Sequence, residues 1–521
     1  MHSGWEEGVA LRRQILALLV ALAAAAFLIL PSPRAAEAAG VAAISAGGSG
    51  GTGHICALAT DGTAKCWGNN IFGQLGDGTT ENRSTPVDVL SEPGGPPLTG
   101  IKGIAAGGHH TCAVMDTGSV KCWGDDFFGQ LGLGAEDDLP ICSVFGPCST
   151  TPADVVGLEE EASTVAAGTR YSCALMVAGG IKCWGLNFMG QLGDGTGGQG
   201  IVRDTPVDVV GLSGEAVAVS LGSAHTCALM DSGGVECWGS DAQGQLGAET
   251  TMVCPDLLGI LVPCSPTPVV VEGLAAEIIS VTTGGAHTCA VSASGSLKCW
   301  GPNFMGQLGD GQACETPCQT PVDVTGLGSG VVGVSASFVG NTCAITTAGA
   351  ALCWGANLHG QLGTEKTVEE CGPIRNPCST APVEVCSDYD ADEQQCNAPL
   401  ANLNDIAIAY LFGCASTNEG GVKCWGSNRY GQLGDGTQTD RGAPVDVIGL
   451  GSKTPAKPQL GDVNCDGALT SIDATLILQL EAGLANTLPC IEAADVDADG
   501  AVTSLDAVLI LQFTAGLITS L

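Results

Sequence analysis

Charge is scarce in this chain of 521 residues. Only 14% are charged, and basic residues are the scarcest, 18 against 54 acidic ones. The net charge of -36 makes nucleic acid and anionic membrane surfaces poor partners, and cations, calcium above all, good ones. Aromatics are scarce too, at 4%, so a core of this size needs other supports. Long apolar runs are absent after residue 38. The single run before it, residues 15–30, has 16 residues, short of the ~20 that span a bilayer. Arg12 and Arg13 precede it and the small-x-small site Ala36-Glu37-Ala38 follows it. Residues 1–38 therefore read as a secretory signal, which leaves no membrane span after cleavage and places the protein outside the cell or at its surface. No Ser-His-Asp, Cys-His or HExxH arrangement is present, and no phosphate loop. Acid pairs such as Asp137/Asp138 are ordinary solvated loop residues on a chain this acidic.

What the chain has instead is a repeat. His225-Thr226-Cys227-Ala228-Leu229, a turn, Glu236-Cys237-Trp238-Gly239 and Gly244-Gln245-Leu246-Gly247 form one of seven copies. First cysteines follow one another at 54 to 71 residues, and each is ten residues before its partner. A Trp-Gly follows every second cysteine, and Gly-Gln-Leu-Gly starts five residues after that glycine. This period suits a four-stranded blade. A β-branched and alanine-rich strand such as Val217-Ala218-Val219-Ser220 comes first. The two cysteine-bearing strands follow across a glycine turn such as Asp61-Gly62, and a Pro-Val-Asp-Val strand closes the unit.

The phrase Trp-Gly-x-Asn-x-x-Gly-Gln-Leu-Gly resembles the regulator of chromosome condensation repeat family, also called alpha-tubulin suppressor-like, over residues 41–450. The resemblance implies a mainly β protein, a seven-bladed β-propeller. The cysteine pair in every hairpin is a departure from the family's intracellular members and fits its secreted bacterial type.

All 26 cysteines have a near partner. Seven hairpin pairs run from Cys56/Cys66 to Cys414/Cys424. Six more are Cys142/Cys148, Cys254/Cys264, Cys314/Cys318, Cys371/Cys378, Cys386/Cys396 and Cys465/Cys490. Zinc sites use closer cysteine knuckles and histidines, so disulfides in an oxidising compartment are the better reading. Each closes a short loop and contributes about 2–3 kcal/mol at most.

Recurrence at one frame makes the seven tryptophans blade-packing residues rather than sugar platforms. It likewise makes His54, His110, His225 and His287 structural. The two residues before each Gly-Gln-Leu-Gly vary: Ile71-Phe72, Phe127-Phe128, Phe188-Met189, Ala242-Gln243, Phe304-Met305, Leu358-His359 and Arg429-Tyr430. Such a frame suits a presented surface, or equally side chains that fill the space between loops. The surface reading makes Phe72, Phe127, Phe128, Phe188, Met189, Phe304, Met305 and Tyr430 partner-binding residues. The insertions 133–151, 248–267 and 364–381 are stiffened by their own cysteines.

Residues 451–460 have linker composition. Two twelve-residue loops follow, offset by 33 residues, with oxygen ligands at the positions calcium uses and glycine at position 6. The first set is Asp462, Asn464, Asp466, the Ala468 carbonyl, Thr470 and Asp473. The second is Asp495, Asp497, Asp499, the Ala501 carbonyl, Thr503 and Asp506. They predict two calcium ions. An apolar helix follows each loop, with Ile472, Leu476 and Leu480, then Leu505, Leu509 and Phe513, at i, i+4, i+8. The duplicated unit, residues 461–521, resembles a type I dockerin, a small α-helical calcium-binding module with paired EF-hand-like loops. The resemblance implies docking to a cohesin-type partner through Ser471, Ile472, Ser504 and Leu505. The absence of lysine and arginine from 461 onward departs from the family's docking helices.

The expectation is a secreted binding protein. Its propeller recognises a protein or glycan, and its second module attaches it to a cohesin-like scaffold or surface protein. The alternative is an extracellular enzyme or a subunit of a polysaccharide-degrading assembly. Exchange on a small GTPase is the third reading, which export and the disulfides oppose.

Overall fold

A computed structural model describes residues 40–134, 141–143, 146–255, 259–274, 277–364, 369–372, 375–390 and 395–450. Toward the C-terminus it describes 460–461, 463, 469, 471–481, 494–496 and 502–514. The signal-peptide and linker readings, and Cys465/Cys490, lie outside these residues.

The repeat folds as seven antiparallel sheets. In the first, Val41–Gly47, His54–Ala59, Ala64–Gly68 and Arg83–Asp88 pair in chain order. The next blades span 101–154, 162–208, 216–270, 278–323, 331–384 and 403–446. The second, fourth and sixth blades depart from the expected four strands. Each insertion folds back as a fifth strand, Ile141–Ser143, Met252–Pro255 or Glu369–Cys371, on the edge of the fourth. Cys142–Cys148, Cys254–Cys264 and Cys371–Cys378 staple these extensions. Cys386–Cys396 staples a separate hairpin.

The ten-residue spacing sets each hairpin cysteine opposite its partner, as Cys56 faces Cys66, with Cα atoms 4.1 Å apart. All seven hairpin disulfides form. Cys314 and Cys318 correct the sequence reading, because they are unbonded. Both lie on the single strand Cys314–Asp323, so no hairpin sets them face to face as a disulfide requires.

Seven apolar clusters lie between blades, each combining one blade's disulfide or inner side chains with the next blade's tryptophan. The cluster of Cys56, Cys66, Leu75 and Trp123 joins the first blade to the second. Another, with Ile55 and Trp67 against Phe412 and Leu433, joins the seventh back to the first. All seven tryptophans are fully buried, and each indole Nε1 donates to the glutamine carbonyl of the preceding blade. Trp123 reaches Gln74 and Trp67 reaches Gln432, both at 3.0 Å, so the ring closes by the same bond that builds it. The last glycine of Gly-Gln-Leu-Gly makes that approach possible. At Gly193, with φ 73°, an added Cβ would lie 2.7 Å from Trp238 Nε1.

Candidate binding face

Every variable tip connects a third strand to a fourth, so the repeated antiparallel order places all seven at one end of the ring. The glutamine of each copy fixes the tip. Its Oε1 accepts the amide of the second tip residue, at 2.9 Å for Phe72 and 2.7 Å for Tyr430, and likewise in the other five blades. An asparagine or aspartate five residues before the leucine accepts the leucine amide, as Asn70 does from Leu75 at 2.9 Å.

The tip residues divide into three groups. Phe127 and Phe304 are exposed, at 58% and 45%. Phe128, Phe188 and Tyr430 are half-buried. Phe72, Met189 and Met305 are buried. Met189 packs on Cys254 and Cys264 with Phe188 beside it, and Met305 on Cys371 and Cys378. The insertions of the fourth and sixth blades thus cover the tips of the third and fifth, and there the space-filling reading holds.

The tips of the first two blades and the loops between first and second strands of the first three line an open cavity of about 390 Å³. Phe72, Phe127 and Phe128 line it with His109, Asp125 and Arg170. The Phe72 and His109 rings lie 5.0 Å apart, and Phe127 meets Phe128 edge-on at 4.8 Å. Ser49 Oγ hydrogen-bonds His109 Nε2 at 2.8 Å. Burial first, and Arg170 second, lower the His109 pKa to about 4, so the ring is neutral. The Arg170 guanidinium lies over the Phe128 ring, 4.8 Å from its centre. Beneath the tip, burial raises the Asp125 pKa. It raises that of Asp126 to about 7, with Asp125 and Asp204 adding repulsion.

Sequence reasoning missed Arg170 and left His109 without a role. A signal was there. The residue before the buried histidine frame is small in Gly53, Ala224, Ala286 and Gly340 and apolar in Leu411, and only His109 and Arg170 are polar there.

The frame histidines are structural. His54, His110, His225 and His287 are buried, and each Nε2 meets a hydroxyl of the next blade, as His54 meets Thr111 at 2.8 Å. That hydroxyl donates to the same glutamine carbonyl that holds the tryptophan, as Thr111 does to Gln74 at 2.8 Å. Desolvation holds the first three pKa values at about 3 and that of His287 at about 4. One pocket is lined by residues of all seven blades, mostly glycine, alanine and other small or apolar side chains, and no carboxylate is among the residues that line it.

In the C-terminal segment, helices Ser471–Glu481 and Ser504–Thr514 pack through equivalent residues of the two copies. Val463, Ala474 and Ile477 meet Val496, Ala507 and Ile510. The most buried stripe is Ala474 and Ile477, not the i, i+4, i+8 set, of which Leu476, Leu480 and Leu509 are partly buried and Leu505 is exposed. Ser504 is exposed as well. The side chains of Ser471 and Ile472 lie outside the described residues. So do Asp462, Asn464, Asp466, Ala468, Thr470, Asp497, Asp499 and Ala501. The structure does describe Asp473, Asp495, Thr503 and Asp506. Asp473 Oδ1 accepts the Val463 amide at 3.1 Å, and Asp506 Oδ1 accepts that of Val496 at 2.8 Å, so each position-12 carboxylate folds back on its own loop. Both are fully buried, in a segment that supplies no lysine, arginine or histidine of its own. Buried carboxylates with an all-oxygen donor set fit calcium.

Seven closed antiparallel blades with a shared tip frame define a seven-bladed β-propeller. The chain belongs to the regulator of chromosome condensation (RCC1) repeat family. That repeat matches residues 61–114, 117–175, 179–229, 232–291 and 419–462, and a second description of it matches 41–74, 101–130, 216–245, 278–307 and 405–432. Neither reaches the sixth blade, which the structure nevertheless builds like the others. A dockerin type I domain matches residues 460–513. Dockerin domains generally bind calcium. Among curated relatives, the ultraviolet-B receptor UVR8 of Arabidopsis thaliana is 28% identical over 404 residues, 77% of this chain and 81% of that protein. The secretion-regulating guanine nucleotide exchange factor of Bos taurus is 28% identical over 406 residues, 76% and 80% of the two chains. Among solved structures, Prp20p of Saccharomyces cerevisiae aligns with a TM-score of 0.59 at 18% identity, covering 77% of this chain and 88% of that one, a likeness of fold. Among the described residues no helix is long and apolar enough to cross a membrane.

Proposed function

We propose that this is a secreted or cell-surface binding protein. Its propeller, residues 41–450, recognises a protein partner through the end that carries the seven tips. Residues 461–521 attach it, with two calcium ions, to a cohesin-type partner; a signal peptide over 1–38 and a linker over 451–460 complete the chain. The observation that carries the reading is the tip frame. Seven turns share one hydrogen bond, from the tip amide to the glutamine side chain, and differ in the side chains they present. Rigid aromatics on a fixed turn, such as Phe127 and Phe304, carry interface energy at low entropic cost. The eleven disulfides among the described residues favour an oxidising compartment, which argues against carrying over the nucleotide exchange named for the Bos taurus relative. The polysaccharide-degrading reading gains nothing from the pocket that all seven blades line, where no acid pair is offered.

The test is a pull-down from the producer's extracellular fraction, with and without calcium chelation. Phe127→Ala with Phe304→Ala should weaken the propeller's capture at least several-hundred-fold, since each anchor typically contributes about 2 kcal/mol or more. Chelation should release a second, cohesin-type partner and leave the first bound. Unchanged propeller capture in the double variant refutes the tip reading.

A further inference from the structure

Resting on that reading, the cavity over the first three blades narrows what the propeller recognises. The protein is crowded with acids, and most of its described cations are taken by them. Lys65, Lys121, Lys182, Lys298 and Lys423 each reach the aspartate of the fourth strand, at 2.5 to 2.7 Å. Arg83, Arg203 and Arg441 reach carboxylates of their own turns. Arg170 has no ion pair among the described residues, and its guanidinium lies over the Phe128 ring at the cavity wall. A half-buried guanidinium in this position keeps its planar fork of donors for something else. Asp125, on the same wall, feels the Arg170 charge but makes no ion pair with it. Its Oδ1 accepts the Phe127 amide at 3.2 Å and its Oδ2 accepts Gln130 Nε2 at 2.7 Å.

The remaining lining decides what accompanies the anion. Ile71, Phe72, Phe127 and Phe128 are apolar. The two hydroxyls are already engaged: Ser49 by His109, and Thr52 by the Ser49 carbonyl at 2.7 Å and by His109 Nδ1 at 3.4 Å. A polyol needs several donors and acceptors at once, and this wall has few to give. A carboxylate next to an aliphatic or aromatic group satisfies both features. The volume, about 390 Å³, lies in the range of small-ligand sites, about 300–1,000 Å³.

We propose that the cavity receives an extended protein segment in which an acidic residue adjoins a large apolar one, the carboxylate pairing with Arg170 and the apolar group entering between Phe72, Phe127 and Phe128. The long-range field of a -36 chain does not forbid this, because charges beyond about 8 Å are largely screened at physiological salt.

The probe is a random peptide library displayed on phage, selected against the full-length protein and checked with synthetic peptides of the recovered sequences. The expected result is enrichment of Asp or Glu beside Phe, Leu, Ile or Trp. Arg170→Gln should weaken the recovered peptides about tenfold to a hundredfold, the worth of a charge-assisted hydrogen bond. Arg170→Lys should fall between, since it keeps the charge and loses the fork. An Asp→Asn or Glu→Gln peptide should lose affinity for the wild type and none for Arg170→Gln. Enrichment without acids overturns the inference, as does affinity unchanged in both Arg170 variants. So does a preference for acidic glycans over these peptides on a glycan array. Phe304, which does not line the cavity, separates the two proposals. A partner lost with Phe304→Ala but indifferent to Arg170→Gln leaves the tip reading standing and removes this one.

Discussion

Asp126 should be a standing cost at neutral pH, and Asp126→Asn should remove it. The residue occupies a frame that Asn70, Asn187, Asn303, Asn357 and Asn428 fill in five other blades. Its Oδ1 accepts the Leu131 amide at 2.8 Å, the bond the asparagines make. Asparagine therefore keeps the acceptor and discards the charge. The pKa rises from 3.8 to about 7, chiefly by burial, then by Asp125 and Asp204. A raised pKa means that the folded protein holds the proton more tightly than the unfolded chain does. The stability tied to that proton is fully present below pH 3.8 and is lost as pH rises to about 7. Three units correspond to about 4 kcal/mol at pH 8, an upper figure that partial hydration of the site brings to about 1–3. The assay is equilibrium unfolding of wild type and variant in guanidinium at pH 4 and pH 8. The variant's advantage should be near zero at pH 4 and reach about 1–3 kcal/mol at pH 8. An equal advantage at both values, or a variant weaker at pH 8, refutes the assignment of the strain to the charge.

Gly193→Ala should destabilise by about 2–4 kcal/mol, because its Cβ meets Trp238 at a left-handed φ. Gly94→Ala, at φ 72° with open space, should cost about 1 kcal/mol, and thermal unfolding compares the two. The buried histidines have lowered pKa values. The stability they contribute is present above pH 6.5 and lost as pH falls toward 3–4. Acid unfolding should begin below pH 6.5, and His54→Asn, with the residue that blade six carries as Asn341, should reduce its proton uptake by one. Asp506→Ala should lower calcium stoichiometry from two to one in calorimetry of the full chain, while tip binding stays unchanged. Two ions still bound would remove Asp506 from the ligand set.

The ring was legible because its parts repeat seven times. A tryptophan in one copy could be anything; seven in one frame with a cysteine one residue before and a fixed glutamine after can only be the joint between units. The hairpin disulfides were legible for the same reason, since ten residues and a glycine turn set two strand positions opposite each other. The cavity was not legible. It gathers residues 49, 50, 52, 71, 72, 109, 125, 127, 128 and 170 from three blades, and no single copy contains it. Met189 and Met305 read like Phe127 until the insertions of the following blades are seen to lie on them. Cys314 and Cys318 satisfied proximity in sequence but not the facing geometry. The helices after the two twelve-residue loops are apolar nearly all round, so period alone could not choose between the Leu476 stripe and the Ala474–Ile477 stripe.

The glutamine of the repeat explains why the tips are free to differ. Its backbone carbonyl holds the next blade's tryptophan and hydroxyl, as at Gln74 with Trp123 and Thr111. Its side chain holds the tip amide, as at Gln74 with Phe72. Both tasks use atoms of the glutamine and of the tip backbone, and neither uses a tip side chain. Ring closure therefore constrains the shape of the turn and leaves its chemistry open. That separation lets one blade present Phe127 and another Arg429 on the same scaffold. It also lets Asp125, Asp126 and Arg170 gather beside one tip, where burial strains the two acids while the ring, held by buried tryptophans and disulfides, absorbs the cost.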